Sequence, residues 1–404
     1  MKSLPLSAIF WLACAAVNGA EEWLDRLDET LTISAFNDTV RARLSGTIEL
    51  EAYYFSLPAA GLIESASETL LNPRFTLFLD AQAGSHIYFF AQARLDGGFD
   101  PSDGGLEMRF DEYALRYTPW EDGRLALQIG KFATVVGRWN ERHLAWDNPF
   151  INAPLPYENV TAVSDLEPPV SARGFATTRI TAAEKYDFTP ILWGSGYSSG
   201  LSVAGRLGKF DYAAELKNAS LSSRPESWDI ANRGFNRPTM SARLGFRPNP
   251  AWTFGLSASR GAYLETADVL PRGKSLGDYH ELVFGQDAGF AWHHWQLWAE
   301  VYEARFEVPN VGNADTLAYY IEAKYKFTPR FFGALRWNQQ FFADVRDGDN
   351  RTGSWSEDVW RIDAATGYRF TAHTQLKLQY DLGRHDSGRA GYGHLFGAQF
   401  MVRF

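Results

Sequence analysis

Between residues 134 and 171, five titratable side chains cluster: Arg138, Glu141, Arg142, His143 and Asp147. Lys131 stands just upstream. Guanidinium groups grip carboxylate or phosphate through parallel N–H donors. A ring of fixed charge at a narrowing sorts ions by local potential. The same charges could instead pair with one another and brace their segment, and the sequence leaves both open. Trp139, Trp146, Phe150 and Tyr157 lie among them. Such rings either stack on sugars or anchor a loop by burial.

Other chemistry-bearing residues carry less. Gly196-Tyr197-Ser198-Ser199-Gly200 matches the Gly-x-Ser-x-Gly elbow of serine hydrolases. That elbow needs a strand before it and a helix after it, whereas this one reads as a tight hairpin loop. His293-His294 falls at a turn without further ligands nearby. The acidic stretches Asp96 to Asp103 and Asp344 to Asp349 offer oxygen ligands, but the EF-hand spacing is absent. Solvated loop charge is the reading for both, and no cofactor or metal is expected.

The elements that position these residues are strands. In 315–327, Leu317, Tyr319, Ile321, Ala323, Tyr325 and Phe327 alternate with Glu322, Lys324 and Lys326. Leu335, Trp337 and Phe341 alternate with Arg336, Asn338 and Gln340, and the pattern recurs through Trp360 to Phe370 and Leu376 to Leu382. Period two with a polar second face marks half-buried strands. Short connections at His293-His294, Thr328 to Arg330 and Thr371 to Thr374 take turns with longer polar ones at 308–314, 343–356 and 384–390. Aromatic residues crowd the strand ends. Together these predict an all-β fold: a transmembrane antiparallel up-and-down β-barrel with aromatic belts and loops of unequal length.

Further strands are expected at 42–57, 72–83, 86–96, 106–118, 124–133, 172–181, 187–195, 200–207, 210–219, 238–247, 251–260, 279–291 and 295–307. Parity favours about 18 strands, with 16 as the alternative. The stretch 134–171 breaks the rhythm, and its proline and aromatic content predicts a loop folded into the lumen. Parity turns Arg74, Arg94, Arg116, Arg206, Arg243, Arg336 and Arg361 inward, beside Asp80, Glu112, Glu215, Glu322 and Asp363. A bulge would invert such an assignment locally. The expected lumen is mixed in sign, leaning towards anions.

The composition agrees. The chain has 404 residues, 45% apolar and 15% aromatic, with a formal net charge of −9. Mean hydropathy is −0.28, as expected when lipid-facing and water-facing residues cancel. The negative charge and the lack of basic runs exclude nucleic acid as a main partner. Residues 1–20 read as an export signal: Lys2, an apolar run from Leu4 to Val17, then small residues. The single cysteine, Cys14, falls inside it. Residues 21–40 form a short amino-terminal segment, with Trp23, Leu24, Leu27 and Leu31 at helical spacing, and 41–404 make the barrel.

At Leu125-Ala126-Leu127-Gln128-Ile129-Gly130-Lys131-Phe132, followed by Gly137, the chain resembles the phosphate-selective porin family. The terminal Phe404 and the mature size are also similar. The resemblance implies a homotrimeric outer-membrane porin of a Gram-negative-type cell, embedded in outer-membrane lipid and lined by basic residues. The family's lysine cluster has no match here. The expected function is passive diffusion of small polar solutes, anions favoured, past a constriction formed by Lys131, Arg138, Glu141, Arg142, His143 and Asp147. The rivals are a barrel enzyme of lipase or protease type and a closed structural or adhesive barrel.

Overall fold

A computed structural model describes residues 23–27, 29–56, 68–98, 105–178, 180, 186–267, 269–346, 352–385 and 392–404. The expected export signal lies outside these residues, as do parts of both acidic loops. Residues 23–27 are helical and lead into a short strand β1 (Thr32–Ala35).

The chain then runs up and down through β2 (Val40–Phe55), β3 (Thr69–Ala83), β4 (Ile87–Asp96), β5 (Glu107–Tyr117), β6 (Ala126–Phe132), β7 (Ser198–Leu207) and β8 (Phe210–Lys217). It continues through β9 (Thr239–Asn249), β10 (Trp252–Ala262), β11 (His280–Trp292), β12 (Trp295–Val308), β13 (Gly312–Lys326) and β14 (Phe331–Phe342). After a small loop hairpin, β15 (Asp344–Arg346) and β16 (Thr352–Ser354), come β17 (Val359–Arg369), β18 (Thr374–His385) and β19 (Gly393–Arg403).

Each wall strand pairs antiparallel with its neighbours, and β19 closes on β2 with Phe396 opposite Tyr54. Closure satisfies every strand's backbone donors and acceptors without an edge, which a hydrocarbon surround demands. Sixteen strands make the barrel, and β1 adds a short extra pairing to the start of β2. The lower of the two expected counts is therefore the observed one.

The alternation works as expected. Ile48, Leu50, Ile129, Leu201, Ile321 and Leu335 stand outward and exposed. The polar partners between them are buried inside, among them Glu49, Glu51, Glu322, Arg336 and Asp363. Trp252, Phe290, Trp295, Tyr325, Phe327 and Phe331 gather in contacting pairs at the short-turn end, as amphipathic rings do at a lipid interface. The turns there are tight. Only Gly208-Lys209 separates β7 from β8, with Gly208 at φ 60°, a left-handed conformation that glycine takes without a Cβ clash.

Among the described residues, two expected strands are not formed. Residues 172–181 begin instead with a helix, α1 (Ala172–Thr177), whose Ser171 cap accepts the Gly174 N–H at 3.1 Å. Residues 187–195 belong to the long connection, which runs over 133–197 rather than 134–171. There Thr161 and Thr189 exchange backbone bonds with 189 and 163, and Ile191 and Leu192 pack into the core with Val163 and Tyr302. Their alternation reflects burial of a loop against the inner wall, which period two alone does not distinguish from burial of a strand.

The candidate pore site inside the barrel

The long loop enters the lumen at Gly137, which has φ 77°. A Cβ there would collide with the Tyr157 and Tyr302 hydroxyls, so this sharp inward turn needs glycine. The inner wall of β12, β13, β14, β17 and β18 then holds the loop by charge. Glu300 on β12 accepts the backbone N–H groups of Arg138 and Trp139 at 2.6 and 2.8 Å, and the Tyr157 hydroxyl at 2.5 Å. Glu322 on β13 accepts from Arg142 at 2.6 Å, while the Arg142 guanidinium lies 4.2 Å from the Trp298 ring centroid. Lys377 on β18 donates to three loop carbonyls, Ala145, Asn148 and Phe150. Arg336 reaches the Asn152 carbonyl and side chain, and Arg361 reaches Glu158 and the Ala153 carbonyl. Buried charges survive only when paired or richly hydrogen-bonded. Here the loop is the partner.

Across the lumen, β2 to β5 carry a second ionic ladder. Arg74 bridges Glu49, Glu51 and Asp96 at 3.2 Å, Arg94 meets Asp111 at 3.0 Å, and Arg109 holds Asp96 and Asp111 at 2.5 and 2.9 Å. A register shift between β4 and β5 turns both Asp111 and Glu112 inward, so that the Glu112 carboxylate accepts the Ala133 N–H. Between this ladder and the loop lies a cavity of about 740 Å³, reached by Arg43, Arg74, Arg94, His143, Trp146 and Asp147, among others.

The sequence-derived residues divide among several environments. Arg138 pairs with the exposed Glu141 at 2.9 Å. His143 sits between Trp139 and Tyr197. Its Nδ1–H donates to the Asn140 carbonyl, and its Nε2 accepts the Tyr197 hydroxyl. Although partly open to the cavity, this imidazole is packed closely enough that burial pulls its pKa down to about 4. It is neutral near pH 7. Arg336 and Arg361 lie buried beneath the loop, and Arg142, on the loop itself, is buried against Glu322 of β13. Arg243 is held by Asp211 and Asp287. Arg116 packs over Tyr88 and Phe90 and bonds Gln128, and Arg206 stands exposed at the end of β7.

Lys131 is a correction. It shares the outward face of β6 with Leu127 and Ile129, and pairs at 3.0 Å with Asp229 from the 218–238 loop. It cannot belong to a constriction. Ser198 opens β7, so a strand rather than a helix follows it, and the elbow geometry is not formed. Glu300, Lys377 and Arg403 are site residues that the sequence reading did not single out, although inward parity marks each of them. Arg109 could not have been found that way. Parity carried from Arg116 sends it to lipid, and the bulge at Asp111 returns it to the lumen.

The chain matches no protein family and no curated protein sequence. Solved outer-membrane structures share its fold. The anion-selective porin from Comamonas acidovorans aligns with TM-score 0.57 at 9% identity, over 90% of this chain and 100% of that one. The outer membrane channel DcaP of Acinetobacter baumannii gives 0.57 at 10%, over 92% and 100%. The trimer form of OmpT, an outer membrane protein of Vibrio cholerae, gives 0.55 at 11%, over 91% and 100%. At these identities the likeness is one of fold.

Proposed function

We propose that the protein is a passive outer-membrane channel of a Gram-negative-type cell, through which small polar solutes diffuse past the folded-in loop, anions favoured. The observation that carries this reading is the loop itself. It is tied along one inner wall, leaving a charged cavity between His143 and Asp147 on one side and Arg74 and Arg94 on the other. Four arginines, Arg43, Arg74, Arg94 and Arg403, line the cavity against three carboxylates, Asp25, Glu49 and Asp147. The anion preference is correspondingly small. Fixed charges at a narrowing act on permeant ions through local potential.

The short-turn end faces the periplasm in this reading, since barrels of this kind place their long loops outside. A homotrimer in outer-membrane lipid is part of the proposal, supported by the trimer form of the Vibrio cholerae neighbour.

Planar-bilayer recording tests it. Open ionic steps are expected, and in a salt gradient the reversal potential should shift modestly towards that of the anion. Silence would favour a closed structural barrel. Ester hydrolysis abolished by Ser198→Ala would favour the enzyme.

A further inference from the structure

We propose that the helical residues 23–27 form a latch at the short-turn mouth of the lumen, docked in acid through an Asp25–His373 contact and released as pH rises. The latch rests on the channel reading for its effect on flow, and not for the contact itself.

His373 lies in the tight turn between β17 and β18, and the end of β19 fixes it there. The Arg403 N–H donates to the His373 carbonyl at 2.8 Å, and the Arg403 Nε donates to the Ala372 carbonyl at 2.9 Å. The imidazole Nδ1 then stands 2.9 Å from the Arg403 carbonyl oxygen, and Nε2 stands 2.8 Å from an Asp25 carboxylate oxygen. A carbonyl and a carboxylate only accept. Both ring nitrogens therefore donate, and only the imidazolium carries two N–H groups. Asp25 is the one carboxylate within ion-pair distance of this ring among the described residues. The other charged groups facing the same cavity are Arg43 and Glu49 from β2, Arg74 from β3, Arg94 from β4, Arg403 from β19, and His143 and Asp147 from the long loop. Arg369 of β17 packs on Trp146 of that loop.

The segment that carries Asp25 is lightly held. Its tether is β1, where Thr32 pairs with Arg43, and the Leu31 carbonyl just before it accepts the Leu44 N–H. Further upstream Leu24 is buried, whereas Trp23 is 60% exposed. One leucine is a thin apolar anchor, so the Asp25 contact is a sizeable share of what docks the segment.

Loss of the imidazolium proton acts at that contact. The backbone bonds to Arg403 keep the Nδ1–H on its carbonyl, so Nε2 turns a lone pair towards the Asp25 carboxylate. Attraction becomes repulsion. Histidine changes charge between about pH 5 and 8. The docked state binds the extra proton, so it is favoured at the acid end of that range and lost towards the alkaline end. Release takes one carboxylate off the cavity lining and clears the mouth beside β2 and β19. Arg43, Arg74, Arg94 and Arg403 then face Glu49 and Asp147 alone, so conductance and anion preference both rise.

The test follows the full chain at about pH 5.5 and about pH 8, by bilayer recording and by the mobility of a nitroxide attached at Trp23→Cys in a Cys14→Ala background. The ratio of free to docked segments should rise about twofold to fivefold at the higher pH, the range of an exposed ion pair, with larger and more anion-selective currents. Asp25→Ala should show the high-pH mobility and currents at both settings. His373→Gln should lose the dependence on pH, and His294→Gln, at a neighbouring turn, should keep it. Circular dichroism checks that each variant keeps its sheet. Equal label mobility at the two settings, a pH response that survives in both folded latch variants, or released segments with unchanged currents overturns the latch. A pH-dependent label in a barrel that passes no current keeps the latch contact and removes the channel reading.

Discussion

The Glu300 carboxylate on β12 accepts the backbone N–H of Arg138 at 2.6 Å, across 162 residues of sequence. The same oxygen takes the Trp139 N–H, while its second oxygen takes the Tyr157 and Tyr302 hydroxyls. One inward carboxylate therefore fixes both where the loop enters the lumen and where it turns back. Glu300→Gln keeps the shape and removes the charge, and hydrogen bonds to a charged group contribute about 1.5–3 kcal/mol each. The variant should melt at lower temperature in detergent and give noisier single-channel currents, as the loop leaves the wall intermittently. Currents as quiet as wild type, with an unchanged melting temperature, would contradict the role.

Lys377 is the cationic counterpart. Removing its ammonium, as in Lys377→Met, leaves the Ala145, Asn148 and Phe150 carbonyls without this donor in a buried setting. Leaving a buried acceptor unsatisfied costs roughly 1–3 kcal/mol. Limited proteolysis should then cut within 140–155 in the variant under conditions where wild type resists.

His143 predicts a dependence on pH. Its folded-state pKa lies below the ordinary histidine value because burial disfavours the imidazolium. The unfolded chain thus binds the proton more readily, and folding stability falls as pH drops from about 6.5 towards 4. The full effect is at most about 3 kcal/mol, less where the cavity screens it. Protonation also removes the acceptor that Nε2 offers the Tyr197 hydroxyl. His143→Gln should flatten the pH dependence of melting over that window. A profile as steep as wild type would place the effect elsewhere.

Lys131 and Arg94 make a contrasting pair. Lys131 faces outward against Asp229, so Lys131→Met should leave the reversal potential in a salt gradient unchanged. Arg94 reaches the cavity, and its partner Asp111 keeps Arg109 when Arg94 is lost. Arg94→Gln should therefore move selectivity towards cations. Equal shifts in the two variants would refute the assignment of faces.

Much of this molecule is written locally. Period two is a property of a single strand, so Leu317 to Phe327 announce a lipid face and Lys324 and Glu322 a wet one without knowledge of any neighbour. The alternation of short and long connections, the aromatic strand ends and the break at 134 are equally local, and they sufficed for a barrel with a loop turned inward.

What tertiary structure decided is everything that depends on partners far apart in sequence. Whether Ile191 and Leu192 lie in a strand or in a loop against Tyr302 depends on what covers them. Whether an inward arginine is open or locked depends on the loop. Arg336 and Arg361 are buried under it, whereas Arg74 still reaches the cavity. Lys131 shares the outward parity of Leu127 and Ile129, which the motif around it does not encode. Arg109 reversed because one extra residue at Asp111 shifts the register. Strand side chains alternate with a period of two, so the sequence by itself sets which residues share a face. Only closure of the sheet and the path of the loop determine which of those faces meets water, lipid or another charge.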